Sequence, residues 1–199
     1  MPAELELKLA IDASDVEAFI RLTETLGWQV HSHQRLNNTY FDTPDQALKR
    51  ERVALRVRQA GERWIQTLKT AGVVDSTGIS RRGEWEWDLP GCSLDKVLVA
   101  EYLPASLDLE QLAPLFTTDF HRTTWMVTEQ GTSIEVALDR GAIRGANREL
   151  PISEVELELK NGDANHLVQL ADKLKEHISL RVDTGSKAQR AQALIDGGL

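Results

Sequence analysis

Cysteine is nearly absent: Cys92 is the one thiol in 199 residues, which excludes an intramolecular disulfide and a cysteine-rich zinc site. No apolar run approaches the roughly 20 residues that span a bilayer, so no membrane segment is expected. The opening MPAELELKLA lacks a basic stretch followed by an apolar core, the mark of a secretory signal. The expected compartment is therefore the cytoplasm. Positive charge is in deficit, with a net charge of −8, which argues against general nucleic-acid binding. A local basic cavity inside an acidic shell can still take an anionic ligand. The five histidines, at 31, 33, 121, 166 and 177, show no metal-ligand spacing. Neither low-complexity tracts nor repeats of solenoid length occur.

What remains is an ordinary soluble composition, 41% hydrophobic and 27% charged, in a length that suits one domain with a real core. No composition shift marks a linker, so residues 1–199 are read as a single domain. Residues 14–27 read as an amphipathic helix, with Ser14 as N-cap, Glu17 three residues on, and Gly27 as terminator. Its stripe is Val16, Phe19, Ile20 and Leu26, interrupted by Thr23. A strand-like run ends at the Thr43-Pro44-Asp45 turn. RVALRVRQAG and RWIQTLKTAG both alternate and end in Gly, which predicts antiparallel neighbours. SRRGEWEWDL alternates after a turn at 75–78, and residues 91–114 read as loops or short helices. Residues 120–145 predict a hairpin turning near Gln130-Gly131, and ISEVELELKNG a strand. Helices are expected over 163–177, capped by Asp163, and over 186–196.

Alternate residues of a strand share a face, and sorting the strands by parity collects charge. The first strand presents Glu4, Glu6 and Lys8 opposite Leu5 and Leu7. Arg56 and Arg58 share a face on the next set, joined by Lys69, then Arg82, Glu84 and Glu86 opposite Trp85 and Trp87. Arg122, Glu135 and Asp139 follow, and the last strand carries Glu154, Glu156 and Glu158. For any one strand, a polar face serves solubility and cross-strand pairing. Together they ask for more, because three carboxylates repel along one strand at spacings of roughly 7 Å. A surface selected for solubility mixes signs. A sheet closed with its charged face inward, and its apolar face covered by the three helices, accounts for both runs. An open sheet with the same faces fits the parity equally well. In either case cationic groups suit a polyanion, and carboxylates suit hard divalent cations.

Nine ordered pieces carry a resemblance over nearly the whole chain: ELELK, YFDTPD, ALRVR, TLK, RRGE, FHR, VALD, SEVELE and SKAQR. The chain resembles the CYTH domain, the triphosphate tunnel metalloenzyme superfamily. Within it the chain is most similar to bacterial inorganic triphosphatases, through LFTTDFHR and SLRVDTGSKAQR. Many of those proteins carry a second, histidine-rich helical domain; this chain stops at Leu199, as a stand-alone version or a part. The resemblance implies an α+β fold, an eight-stranded antiparallel closed β-barrel with helices packed outside. Its lumen is expected to bind a small-molecule triphosphate with Mg²⁺ or Mn²⁺. Carried over by motif, Lys8, Arg56, Arg58, Lys69, Arg82, Arg122 and Lys187 line the phosphate path. Glu4, Glu6, Asp139, Glu154 and Glu156 are metal ligands, and Glu84 faces the tunnel, while Glu86 and Glu158 rank lower. Glu4 and Glu6 are candidates to orient or deprotonate the attacking water, with Lys8 holding a phosphate or tempering their repulsion.

The activity this implies is hydrolysis of inorganic tripolyphosphate to pyrophosphate and phosphate. Thiamine triphosphatase and class IV adenylyl cyclase share most tunnel residues, but no aromatic or adenine-reading constellation stands out. A non-catalytic polyphosphate- or nucleotide-binding module predicts damaged acids, and all five expected ligands are present. Trp85 and Trp87 are read as outer-face packing rather than stacking platforms. Nothing places a catalytic base beside Cys92.

Overall fold

A computed structural model of the chain describes residues 3–198. Ten strands run β1 Ala3–Ile11, β2 Val30–Asp42, β3 Ala54–Ala60, β4 Arg63–Lys69, β5 Val73–Val74, β6 Ile79–Leu89, β7 Ala113–Glu129, β8 Thr132–Gly145, β9 Arg148–Asn161 and β10 Leu180–Val182. Four helices join them: α1 Val16–Thr25, α2 Ala47–Arg50, α3 Asn165–Lys175 and α4 Lys187–Ile195. Eight strands pair antiparallel in the circuit β1–β9–β8–β7–β2–β3–β4–β6, and β6 pairs back onto β1 to close it. The barrel is closed, which removes the open-sheet alternative. The small strands β5 and β10 extend β6 and β1.

Register turns the parity argument into geometry. Lys8 lies opposite Glu156, Glu154 opposite Asp139, and Asp139 opposite Arg122. Tyr40 lies opposite Arg56, Ala54 opposite Lys69, Lys69 opposite Glu84, and Glu4 opposite Arg82. Directly opposed residues share a face, so these charged residues of seven barrel strands point to one side, to which β2, the eighth, adds the uncharged Asn38 and Tyr40. The other face carries Leu7, Leu9, Trp125, Val136, Leu138, Val155 and Leu157, buried against Phe19 of α1 and Leu167 and Leu174 of α3. On the far side Leu55 and Leu68 pack under the 91–112 segment through Val99 and Leu103. Trp85 and Trp87 belong to that outer cluster, 4.9 and 5.7 Å from the Tyr102 ring, as their parity predicts.

Local signals hold in most places and shift in a few. Gln130 and Gly131, both at positive φ, turn the β7–β8 hairpin as expected, and Ala146-Asn147 turns an unpredicted β8–β9 hairpin the same way. Strands β7 and β9 begin earlier than their alternation suggested, and the two- and three-residue β5 and β10 are too short to leave a pattern. Ser14 does not cap α1: a 3-10 turn over Ala13–Asp15 precedes the helix, whose N-cap Asp15 makes no side-chain cap bond. Thr23, which seemed to interrupt the stripe, is buried and donates to the Ile20 carbonyl at 2.8 Å, so its hydroxyl is satisfied inside the helix. Asp163 sits one residue before the α3 cap but still accepts from the Asn165 amide at 2.9 Å. Ser186 heads α4 with a full capping box to Gln189.

Helices α1 and α3 cover the outside, as expected, but α4 has a different seat. Its Ala191 and Leu194 pack on Leu36, Phe116, Phe120, Ile143 and Ile152. By register those residues point the same way as Arg122 and Asp139. Helix α4 therefore lies on the inward face, over an apolar stretch beside the charged one. A helical stripe looks the same in sequence whether it packs on the outer or the inner side of a barrel. No helix among the described residues is long and apolar enough to cross a membrane.

Candidate active site

The inward charges line a cavity of about 580 Å³ that includes Glu4, Glu6, Lys8, Arg56, Arg58, Lys69, Arg82, Glu84, Glu86, Arg122, Glu156 and Lys187. Asp139 and Glu154 lie behind its wall, with no exposed surface. The residues selected from the sequence thus lie on or directly behind the wall of one lumen. The walls are unequal. Strands β1, β9 and β8 carry the carboxylates at 4, 6, 139, 154 and 156, whereas β7, β3, β4 and β6 carry Arg122, Arg56, Arg58, Lys69 and Arg82. One arc of the barrel is acidic and the facing arc basic, with mixed signs on β1 and β6.

Two ion-pair clusters hold this arrangement. In the first, Lys69 contacts Glu4 at 2.9 Å and Glu84 at 3.0 Å. Arg82 contacts Glu4 at 2.6 Å and Glu6 at 3.4 Å. Burial opposes the charge of Glu4, but Lys69 and Arg82 hold its carboxyl well below the usual range. Glu6 goes the other way: burial, with Glu156 and Glu4 nearby, outweighs Arg82 and Lys8 and pushes it up to about 7. Two carboxylates two residues apart on one strand thus have opposite protonation tendencies. In the second cluster Arg122 forks onto Asp139 at 2.6 and 2.7 Å and reaches Glu156. Lys187 reaches Asp139 at 2.6 Å, Glu156 at 2.9 Å, and Glu154. Against the cost of burial, Lys187 and Arg122 keep Glu156 well below its ordinary value.

Asp139, Glu154 and Glu156 can bring one carboxylate oxygen each within 4.8 Å of one another. That all-oxygen donor set fits a hard divalent cation, and the Lys187 ammonium now sits among the same three groups. Glu6 on β1 lies close enough to this triad to feel Glu156, whereas Glu4 sits with Lys69 and Arg82. Arg56 stands 3.9 Å from Glu84 and Glu86 and 3.5 Å from the Tyr40 hydroxyl. Glu158 is tied to Lys160 at 2.8 Å, and Lys160 to Glu135 at 3.5 Å, away from the triad. Lys8 donates to the Gly185 carbonyl at 2.7 Å and so holds the approach to α4. Lys187 and Arg122 lie 4.9 and 5.7 Å from the centre of the Phe120 ring, where the charged and apolar stretches meet.

Sequence reasoning passed over several partners. Arg190 pairs with Glu154 at 2.6 Å; its place three residues after Lys187 on one helix face was the available signal. Asn38 and Tyr40 share the inward parity of β2, but as uncharged residues they did not stand out. A second cavity of about 470 Å³ adjoins the first, sharing Glu6, Lys8, Lys69 and Arg82, and is lined further by Phe116, Gln189 and Gln192.

The likenesses agree with this geometry. The chain is 37% identical over 203 residues to a Haemophilus influenzae inorganic triphosphatase; the match covers 98% of this chain and 55% of that protein, so the chain spans about half its length. A Hippeastrum protein, an adenylyl-cyclase candidate with a dominant triphosphatase activity, superposes with a TM-score of 0.74 at 18% identity, covering 96% of each chain. A Pyrococcus horikoshii protein superposes at 0.64 and 17% identity over 96% of this chain and 99% of its own. At such identities the structures speak for the fold. The CYTH domain family model matches residues 2–191, and the chain belongs to that family.

Proposed function

We propose that the barrel hydrolyses inorganic tripolyphosphate to pyrophosphate and phosphate, with Mg²⁺ or Mn²⁺ on its acidic arc. The observation that carries this reading is the split lumen: one cavity whose basic side suits phosphate oxygens and whose acidic side holds an oxygen triad. The H. influenzae relative points to the same activity. CYTH triphosphate tunnel enzymes are metal-dependent, and the donor set present here is of the right kind. Asp139, Glu154 and Glu156 would hold the ion, with Glu4 and Glu6 completing its surroundings. When bound, it would neutralise phosphate oxygens and acidify water.

The chain's own residues supply the rest. Phosphoryl transfer needs in-line positioning and charge neutralisation more than covalent chemistry. Arg56, Arg58, Lys69, Arg82, Arg122 and Lys187 bind and orient the phosphates, and Lys8 adds a cation near the mouth. Glu6, with a carboxyl at about 7, is matched to taking a proton from the attacking water near neutral pH. Glu4, held anionic by Lys69 and Arg82, orients that water. Glu84 steadies Lys69. Residues 1–199 act in this reading as one CYTH domain in the cytoplasm, on a small-molecule substrate, away from nucleic acid and membrane.

The adjoining 470 Å³ cavity favours a second reading, in which an ester such as thiamine triphosphate or ATP places its organic part beside Phe116 and Gln192. Phosphate release from tripolyphosphate, ATP and thiamine triphosphate, with each metal, decides between them. The expected result is fastest turnover of tripolyphosphate. Faster turnover of an ester overturns the preference, and cyclic AMP formed from ATP overturns the hydrolase reading itself.

A further inference from the structure

Arg58 differs from the other arginines of the lumen and from Lys69 and Lys187; Lys8, the other lumen cation without a carboxylate partner, donates to the Gly185 backbone carbonyl. Lys69, Arg82, Arg122 and Lys187 each touch one or more carboxylates, and Arg56 has two at 3.9 Å. Among the described residues no carboxylate pairs with Arg58. Its partner is a neutral amide: Nε donates to Asn38 Oδ1 at 2.8 Å. Asn38 in turn donates from Nδ2 to Thr118 Oγ1 at 2.9 Å. Arg58, Asn38 and Thr118 lie directly opposite one another on β3, β2 and β7, in one inward-facing row. Asn38 and Thr118 are each only 1% exposed. A guanidinium can only donate, so the Asn38 carbonyl must face Arg58 and the amide nitrogen must face Thr118.

This row is costly as a structural device. Burial, then Arg56 and Arg122 beside it, lowers the Arg58 pKa from its ordinary value, and Tyr40 and the more distant Glu86 offset only part of this, so its charge is held against desolvation and two like charges. Aspartate has the same shape as asparagine; at position 38 it would keep the bond to Nε and neutralise the guanidinium. Asparagine keeps the geometry and leaves the charge. The bond also occupies Nε, leaving both terminal nitrogens free for a forked contact with an oxyanion.

We propose that Asn38 is a positioning residue for anion binding, which aims Arg58 into the lumen while leaving its charge uncancelled for the phosphate group. The inference rests on the triphosphate reading of the lumen. It further assigns Asn38 a part in substrate choice, because an unesterified triphosphate carries more negative charge than its ester and gains more from an uncancelled cation.

The experiment measures tripolyphosphate and ATP binding by calorimetry in EDTA, for wild type, Asn38→Asp, Arg58→Gln, the double variant and Thr118→Val. Asn38→Asp is expected to weaken tripolyphosphate by about 10- to 100-fold, the worth of a charged hydrogen-bonding partner, and ATP by less. In the Arg58→Gln background the same change is expected to alter affinity less than twofold. Tripolyphosphate binding to Asn38→Asp within twofold of wild type, or an equal loss without Arg58, overturns the proposal. If wild type binds no tripolyphosphate, the triphosphate reading falls first, an outcome distinct from an unaffected variant. The Arg58 Nε–H resonance, identified by its loss in Arg58→Gln, supplies a readout of position alone. It is expected to exchange slowly in wild type and faster in Thr118→Val; equal exchange in both overturns the positioning role even where Asn38→Asp fails to fold.

Discussion

Replacing Lys187 by methionine keeps the unbranched stem, one atom shorter, and removes its charge from among three carboxylates. In the native protein the ammonium contacts Asp139 at 2.6 Å, Glu156 at 2.9 Å, and Glu154. Asp139 and Glu154 have no exposed surface, so their charge cannot be repaid by water. Arg122 and Arg190 remain as partners, which leaves the triad short of one cation. Removing one member of a buried ion cluster costs about 3–5 kcal/mol, because the remaining charges stay desolvated. Urea unfolding in EDTA at pH 7.5 should show Lys187→Met less stable by about that amount. A divalent cation in the vacated seat should restore part of it, by RT ln(1 + [L]/Kd), or roughly 2.7 kcal/mol at a hundredfold excess over Kd. Two results would refute the reasoning: equal stability of variant and wild type in EDTA, or equal stabilisation of both by Mg²⁺.

Two other expectations concern stability. Glu6, raised from its ordinary 4.5 to about 7, binds a proton in the folded state that the unfolded chain has already lost. Its contribution is full below pH 4.5 and disappears as pH rises through 7, a change on the order of 3 kcal/mol. Urea midpoints in EDTA from pH 5 to 8 should fall for wild type and fall less for Glu6→Gln; parallel profiles would remove Glu6 as the cause. Gly141 faces Phe120 across β7 and β8, and a Cβ there would collide with the Asp119 carbonyl oxygen and the Phe120 backbone. Gly141→Ala should therefore cost about 3 kcal/mol in the same assay, whereas a change under 0.5 kcal/mol would show that β7 yields freely.

Much of the barrel was legible because a period of two is hard to disguise. Glu4, Arg56, Arg82 and Glu154 could be sorted onto one face before any pairing was known, and the register then placed them together. Closure was not legible, since parity is the same for a barrel and an open sheet; it required the β1–β6 pairing. The seat of α4 was hidden for a related reason: Ala191 and Leu194 are apolar whichever layer they meet. The contrast between Glu4 and Glu6 was equally out of reach. Both are glutamates on one strand, and only the placement of Lys69 and Glu156 in space separates them. Asn38 left no such signal in the sequence, because it carries no charge and its role depends on carrying none.

The closing strand also governs when the site can come into being. Strand β1 pairs with β6 through residues 79–83 and with β9 through residues 154–158. Strand β1 must therefore wait for β9, about 150 residues further along the chain, before it has both neighbours, and such long-range pairing is slow. Glu4, Glu6 and Lys8 ride on that strand: the Glu4–Arg82 pair lies across the β1–β6 seam, and Lys8 lies opposite Glu156 across the later β1–β9 seam. Until the later seam shuts, the acidic arc has Asp139, Glu154 and Glu156 but lacks the β1 members beside them. The complete lumen is therefore a property of the closed barrel alone, since the β1 carboxylates join the acidic arc only when β1 has both neighbours.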